Sequence, residues 1–385
     1  MCGMFWERKK QSDASPHTQM GRATMTTRQL WQQIMHYGAF DRMPVVHWKV
    51  WRETRERWYG EGLPRDIDGA GAEQAYFDAV PPWTFVDINL NLFPGFEEVV
   101  LEETDEYRIF RDSTGVTKKD WKHRGCIPQH TGFTFRTAAD WPEFKKRLQP
   151  DPARVPADID ARVRRAEQSG NAIAVHGASM MGWIRNWMGV ENMSYLMYDD
   201  RDCYAEIVDT LAGLVCWGLD QIVPRMHTVP DICHGWEDIC GKSGPLVSPS
   251  IFDECVAPGY RKVRDKLDEY GIKLYSIDTD GDIAALVGHW LDAGVNVQFP
   301  IEIGTWEADP MAYRRQYGRE LRIVGGFNKL VLEDGPAAID AEIERRLPLA
   351  RDGGYILMPD HLITPGVALD DYRYYLDRIR ELRLD

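Results

Sequence analysis

The chain has 385 residues, enough for two ordinary domains or for one barrel of roughly 250 residues with additions. Its 46 Lys and Arg stand against 60 Asp and Glu, a net charge of −14 with His neutral. Acidic residues are spread along the chain, and a field of that sign repels nucleic acid and anionic membranes. No apolar run approaches the ~18 residues a membrane helix requires, so neither a nucleic-acid nor a membrane partner is expected.

Residues 1–25 are expected to be a flexible extension. Arg8, Lys9 and Lys10 are followed by polar residues and Pro16, without the apolar core of a targeting signal. Residues 26–385 are taken as a single domain. Seven cysteines, at 2, 126, 203, 216, 233, 240 and 255, form no C-x-x-C pair. In a chain this long they are expected to be reduced thiols, which implies a cytoplasmic location.

Thr26 or Thr27 caps a first helix carrying Leu30, Ile34 and Met35 at helical spacing. Pro44 breaks that pattern and opens a short strand, Val45 to Trp48. From about 85 to 135, alternating stretches around Val99 and Tyr107 and the turn at Asp112–Gly115 indicate an antiparallel insertion after the first strand. Asp140 with Glu143 resembles a capping box for a helix from Trp141 to Leu148, and a second helix spans Ile159 to Gln168. A regular alternation follows. The strands centre on Ala172–His176, Pro230–Asp238, Lys273–Ile277, Val295–Ile301, Leu321–Phe327 and Gly354–Met358. The helices between them lie at Cys203–Pro224, Ile251–Tyr270, Ile283–Ala293, Met311–Tyr317 and Ala337–Leu349, with a last one at Asp370–Leu382.

Short apolar strands alternating with helices imply a parallel sheet covered on both faces. At least seven such strands with no linker between them favour an α/β fold of the (β/α)8 TIM-barrel type. A doubly wound sheet would fit the alternation too, but no G-x-G-x-x-G joins a strand to a helix.

In a barrel, polar residues just past a strand's last apolar residue face the active-site mouth. Here those positions hold His47 and Trp48, His176, Glu237 and Asp238, Asp278, Asp280 and Asp282, Glu302, Asn328 and Lys329, and Asp360 and His361. Asp282 is assigned to capping the next helix. Asp280, beside Gly281, and His361, beside Asp360, are the leading catalytic candidates. Glu237 and Asp238 either face the cleft or pair with Lys242. His176 is a substrate contact or a core histidine, and Lys329 is solvated or meets an anionic substrate group. His234, His289 and most tryptophans are assigned to packing. Trp183, Trp187, Trp236 and Trp306 are available to line a pocket for a flat or apolar ligand, and Trp48, His176, Trp183, Glu302 and Lys329 are taken as substrate-binding.

From about Thr26 onward the chain resembles the uroporphyrinogen decarboxylase superfamily. The landmarks are Asp41-Arg-Met-Pro-Val-Val, Lys242-Ser-Gly-Pro-Leu-Val-Ser-Pro-Ser-Ile-Phe, Asp280-Gly-Asp, Ala293-Gly-Val-Asn with Pro300, Gly325-Gly, and Gly353-Gly-Tyr-Ile-Leu-Met-Pro. The resemblance implies a (β/α)8 barrel, often dimeric, with the substrate in its cleft. The segment after Val46, His-Trp-Lys-Val-Trp-Arg-Glu-Thr-Arg, departs from the arginine-rich motif of the haem-pathway decarboxylases. It is the corrinoid-linked methyltransferase-like branch that the chain resembles more.

That branch carries a zinc site of H-x-C plus a later Cys; at the matching positions stand Asp278-Thr-Asp280 and His361. Asp278, Asp280, Glu237 and His361 would make an oxygen-and-nitrogen zinc site. Without a metal, Asp280 or Glu237 would act as general acid with His361 as partner. The expected activity is therefore a corrinoid-dependent methyltransferase or demethylase acting on a small methoxylated or methylated compound. No D-x-H-x-x-G is present, so the corrinoid would arrive on a separate protein. The alternative is a decarboxylase of uroporphyrinogen or another carboxylated substrate.

Overall fold

The computed structural model describes residues 25–123 and 127–384. The expected extension, with Cys2, lies outside the described residues, as does Cys126; the other five cysteines are free.

Thr26 caps the helix Thr27–Met35 through a capping box with Gln29. Its face of Leu30, Trp31, Ile34 and Met35 is buried. Thirteen strands follow among the described residues. They are β1 Thr84–Val86, β2 Val99–Glu103, β3 Tyr107–Arg111, β4 Val116–Trp121, β5 Gln129–Phe133, β6 Ile173–His176, β7 Ile232–Trp236, β8 Cys240–Gly241, β9 Gly244–Pro245, β10 Tyr275–Thr279, β11 Val297–Pro300, β12 Arg322–Phe327 and β13 Tyr355–Pro359. Seven make one curled parallel sheet in the order β1-β6-β7-β10-β11-β12-β13. Helices between successive strands cover it, as crossovers between parallel strands require. In chain order β2 to β5 lie between β1 and β6, and they form a separate antiparallel sheet. Phe85, expected at the start of that excursion, belongs instead to the parallel sheet, paired with Ala174.

The strand expected at Val45–Trp48 is not a ladder. Val46 makes one parallel bridge to Val80, just before β1, and Val50 makes one to Ile363, just past β13. This segment thus touches both edges of the seven-stranded sheet. Side chains reinforce it. His47, fully buried, sits between the Tyr372 hydroxyl at 2.6 Å and Glu73 at 2.9 Å, and Glu73 is held in turn by Arg55 at 2.6 Å.

Several helix boundaries moved for local reasons. Asp140 is not the cap of the following helix. It completes a capping box with Thr137, and the helix itself is Trp141–Lys145 followed by a tighter turn to Leu148. The helix expected from Ile251 opens with a wide turn, Phe252–Val256, before regular winding over Ala257–Glu269. Pro258 has no N–H to give to the preceding turn, and the backbone widens there. The helix expected from Ile283 begins at Val287. Helices Arg52–Gly60, Ala70–Tyr76, Gly182–Met188 and Val190–Asp199 were not anticipated. The stretch Arg201–Arg225 is long and apolar enough, by length and composition, to cross a membrane. It instead buries Tyr204, Ile207, Leu211, Val215, Leu219 and Ile222 along one stripe, as a core helix does.

Candidate active site

Alternation along the strands decides which polar residues reach the sheet's inner face. On β7 and β10, His234 and Ser276 meet there, Nδ1 to Oγ at 2.7 Å. Trp236 and Asp238 continue that face on one strand, and Asp278 and Asp280 on the other. The rings of His234, Trp83, Phe85 and Phe299 pack together as a floor. Burial holds the His234 imidazole down to about 3 and that of His176 to about 4, so both are neutral at pH 7. His176 Nδ1 accepts the Ala178 N–H at 2.8 Å, leaving its other nitrogen as the donor. Its ring lies 6.0 Å from those of Phe85 and Trp183. Three non-glycine residues with positive φ stand just past strand ends on this rim: Ala178 at 53°, Asp238 at 47° and Ile301 at 53°. Such strain concentrates at functional sites.

His361 follows β13, and its Nε2 lies 3.5 Å from Asp280 Oδ2. Trp48 stands edge-on to the imidazole at 5.8 Å, with Trp51 at 6.3 Å; Trp48 also packs on Phe299. Burial pulls the His361 pKa down, but the hydrogen bond and charge of Asp280, with Glu302 beyond, outweigh it and raise the net value against Lys329. Asp278 is pushed well above the usual carboxylate range, first by burial and then by Asp280 and Asp238, with His361 and Lys49 opposing. One oxygen of Asp280 is buried without a hydrogen-bond partner. The rim therefore holds a carboxyl at Asp278 whose protonated form burial favours, beside an imidazole whose protonated form the neighbouring Asp280 favours.

Glu237 is placed otherwise. One residue after inward-facing Trp236, it points out toward the helices and is fully buried. Its Oε1 accepts the Met180 N–H at 2.6 Å and the Tyr260 hydroxyl. Its Oε2 accepts from Met181 at 3.0 Å, Gly182 at 2.8 Å and Ser179 Oγ at 3.2 Å. Neither it nor Asp238 pairs with Lys242. Asp238 instead meets Arg185, carboxylate to guanidinium at 3.2 Å.

Glu302 and Lys329 form a buried ion pair at 2.7 Å, and Trp306 donates its indole N–H to Glu302 rather than lining the cleft. Asp360 accepts the backbone N–H groups of Ile303 and Lys329, at 2.6 and 3.0 Å, fixing the loop beside His361. Asp282 accepts from the Ala284 N–H at 3.1 Å, a local turn where a helix cap was expected.

A cleft of about 640 Å³ opens between this rim and the antiparallel sheet. Trp183, Trp187, Trp236 and Phe133 supply its aromatic surface, and Lys118, Arg185 and Asp238 its charges. Asp238 is the link: it lines the cleft and faces Asp278 and Asp280. Arg185 was not anticipated because the helix that carries it was not. Asp87, the residue after β1, was also missed. It lines a small cavity with Phe85 and Arg162, has one oxygen buried without a partner, and is raised by burial to about 6. A carboxylate directly past an apolar strand was the available signal, obscured by assigning Phe85 to the insertion.

The four residues expected to hold zinc do not fit a metal. Asp280 and His361 are adjacent, but Glu237 faces away with both oxygens occupied. Among the described residues no group of three or more His, Cys, Asp or Glu is arranged to hold an ion.

Comparison with known proteins gives two findings. The family model described as uroporphyrinogen decarboxylase matches residues 146–382. A solved methyltransferase from Methanosarcina mazei is similar in fold, with a TM-score of 0.58 at 13% identity over 93% of this chain and 99% of that one. No curated protein matches the sequence.

Proposed function

Because the chain belongs to the uroporphyrinogen decarboxylase family, we propose that it is an enzyme of that fold acting on a small methoxylated or methylated compound at the carboxyl ends of its parallel strands. The seven-stranded sheet, with Val45–Val50 between its edges, is taken as a (β/α)8 barrel. Methyl transfer is favoured over other chemistry by the likeness to a methyltransferase. One observation carries the reading: His361 faces Asp280 inside an aromatic wall at the strand ends, and its pKa is raised.

A reduced corrinoid on a separate protein would supply the nucleophile that accepts the methyl group. This chain's residues supply the proton. As the methyl–oxygen bond breaks, the oxygen leaves with the bonding pair and takes a proton from the His361 imidazolium, which Asp280 orients. Trp48 and Trp51 shield that transfer from water. Lys118 and Arg185 bring cationic groups to the cleft lining, paired with Asp112 at 2.6 Å and Asp238 at 3.2 Å, while the whole chain is acidic. An anionic methoxylated ring laid against Trp183 and Trp236 fits that wall.

The test is release of 4-hydroxybenzoate from 4-methoxybenzoate, and of the corresponding alcohol from other methoxylated acids, in the presence of reduced cobalamin. Product that disappears in His361→Gln supports the proposal. A second reading, a carboxy-lyase, draws on Asp87, whose carboxyl at about 6 can keep a proton for a carbanion near neutral pH. Carbon dioxide released from a porphyrinogen, with no methoxylated acid turned over, would replace the first reading with the second.

A further inference from the structure

We propose that Glu237 is a positioning residue, a carboxylate clamp that holds Asp238 and Arg185 together as one wall of the cleft. Five donors converge on its two oxygens: three consecutive backbone N–H groups from Met180 to Gly182, the Ser179 hydroxyl and the Tyr260 hydroxyl. No oxygen is left for substrate, so its work is done through neighbours. On one side it fixes the loop after β6 and the first turn of helix Gly182–Met188, which presents Arg185. On its own strand, its N–H donates to the Asp278 carbonyl at 2.8 Å, tying β7 to β10 where the acidic residues gather.

The next residue, Asp238, is held at a φ of 47°, in the left-handed region that few residues other than glycine adopt and that Asp and Asn enter more readily than most. Arg185 closes the circuit. It donates to both the backbone carbonyl and the carboxylate of Asp238, with its guanidinium 5.4 Å from the Trp236 ring. Gly182 is required by the same arrangement: a Cβ there would lie 1.9 Å from the Glu237 carbonyl oxygen. The clamp therefore joins the loop after β6, the end of β7 and the helix layer through Tyr260.

Calling this wall part of the reactive cleft rests on the function proposed above, whereas the readouts below follow the clamp alone. Glu237→Gln keeps the shape but turns an NH2 toward at least two of the five donors. Two signals are followed in the full chain: amide exchange at Met180, Met181 and Gly182, and the Nε–H resonance of Arg185. In Glu237→Gln the exchange should quicken at Met180, or at Met181 and Gly182, according to which oxygen the NH2 replaces, and the Arg185 resonance should broaden or vanish. Ser179→Ala, a milder change, should speed exchange at Met181 and Gly182 by about five- to tenfold and leave the Arg185 resonance in place. Val163→Ala, a core truncation in helix Ile159–Gln168, should lower the melting temperature and change neither signal. Unchanged exchange and an intact Arg185 resonance in Glu237→Gln would overturn the proposal. Should that variant not fold, unchanged exchange in Ser179→Ala would do the same.

Discussion

Asp278 and Asp280 stand two residues apart on one strand face, and it is Asp280, 3.5 Å from the imidazole, that acts on His361. Asp280→Asn should therefore lower the midpoint at which His361 titrates, since burial and Lys329 then act against Glu302 alone. Proton NMR of the histidine ring reads this directly. Asp87 gives a second test. Its folded pKa of about 6 lies above the unfolded value, so the protonated form is favoured by folding. That contribution is complete below about pH 4 and is lost as pH rises through 6, by at most about 3 kcal/mol for a two-unit shift. Melting temperatures of Asp87→Asn should show a smaller fall between pH 4 and 6 than those of the wild type. At this scale His361 and Asp280 were legible, because a polar residue past an apolar strand has few other places to point. Glu237 was not. Alternation past inward-facing Trp236 turns Glu237 toward the helices, so of the two rim carboxylates expected there only Asp238 lines the cleft.

At the scale of elements, the rhythm of strand and helix from residue 172 onward could be read from apolar runs alone. The short helices Gly182–Met188 and Val190–Asp199 could not, since loop length rather than periodicity marked them, and Arg185 was hidden with them. Close approaches between strands were likewise invisible in sequence beyond the bare presence of glycine. Gly325, at a φ of 122°, lies where a Cβ would stand 2.1 Å from the Pro300 carbonyl oxygen. Gly325→Ala should cost on the order of 3 kcal/mol in chemical denaturation, through both strain and collision with β11. The pair Glu302–Lys329 predicts a comparable loss. Lys329→Met leaves a buried carboxylate uncompensated and should destabilise by about 3–5 kcal/mol.

Across the whole molecule, the two edges of the parallel sheet meet the same short segment, Val45–Val50, through single bridges. A strand was expected at Val45–Trp48, where the structure has only single bridges, and nothing in the sequence marked His47, Glu73, Arg55 and Tyr372 as the residues that do the joining, because those four are scattered over more than 300 positions. Burial works against the Glu73 carboxylate, but its hydrogen bonds to His47 and Arg55 hold its pKa below the ordinary value. Glu73→Gln should therefore destabilise the protein by about 3 kcal/mol near neutral pH. In the wild type that contribution fades as pH falls below the ordinary glutamate range. The same segment carries Trp48 and Trp51 to His361, so its loosening should also raise their solvent exposure.

The reactive cleft is proposed to lie at the carboxyl ends of the strands. A second cavity of similar size, lined by Tyr37, Arg264, Lys273 and Arg319, lies at their amino ends. A crystal structure with bound 4-methoxybenzoate separates the two most directly. Density is expected between Trp183 and Trp236, with the methoxy oxygen turned toward His361. Density confined to the cavity beside Tyr37 would contradict that placement.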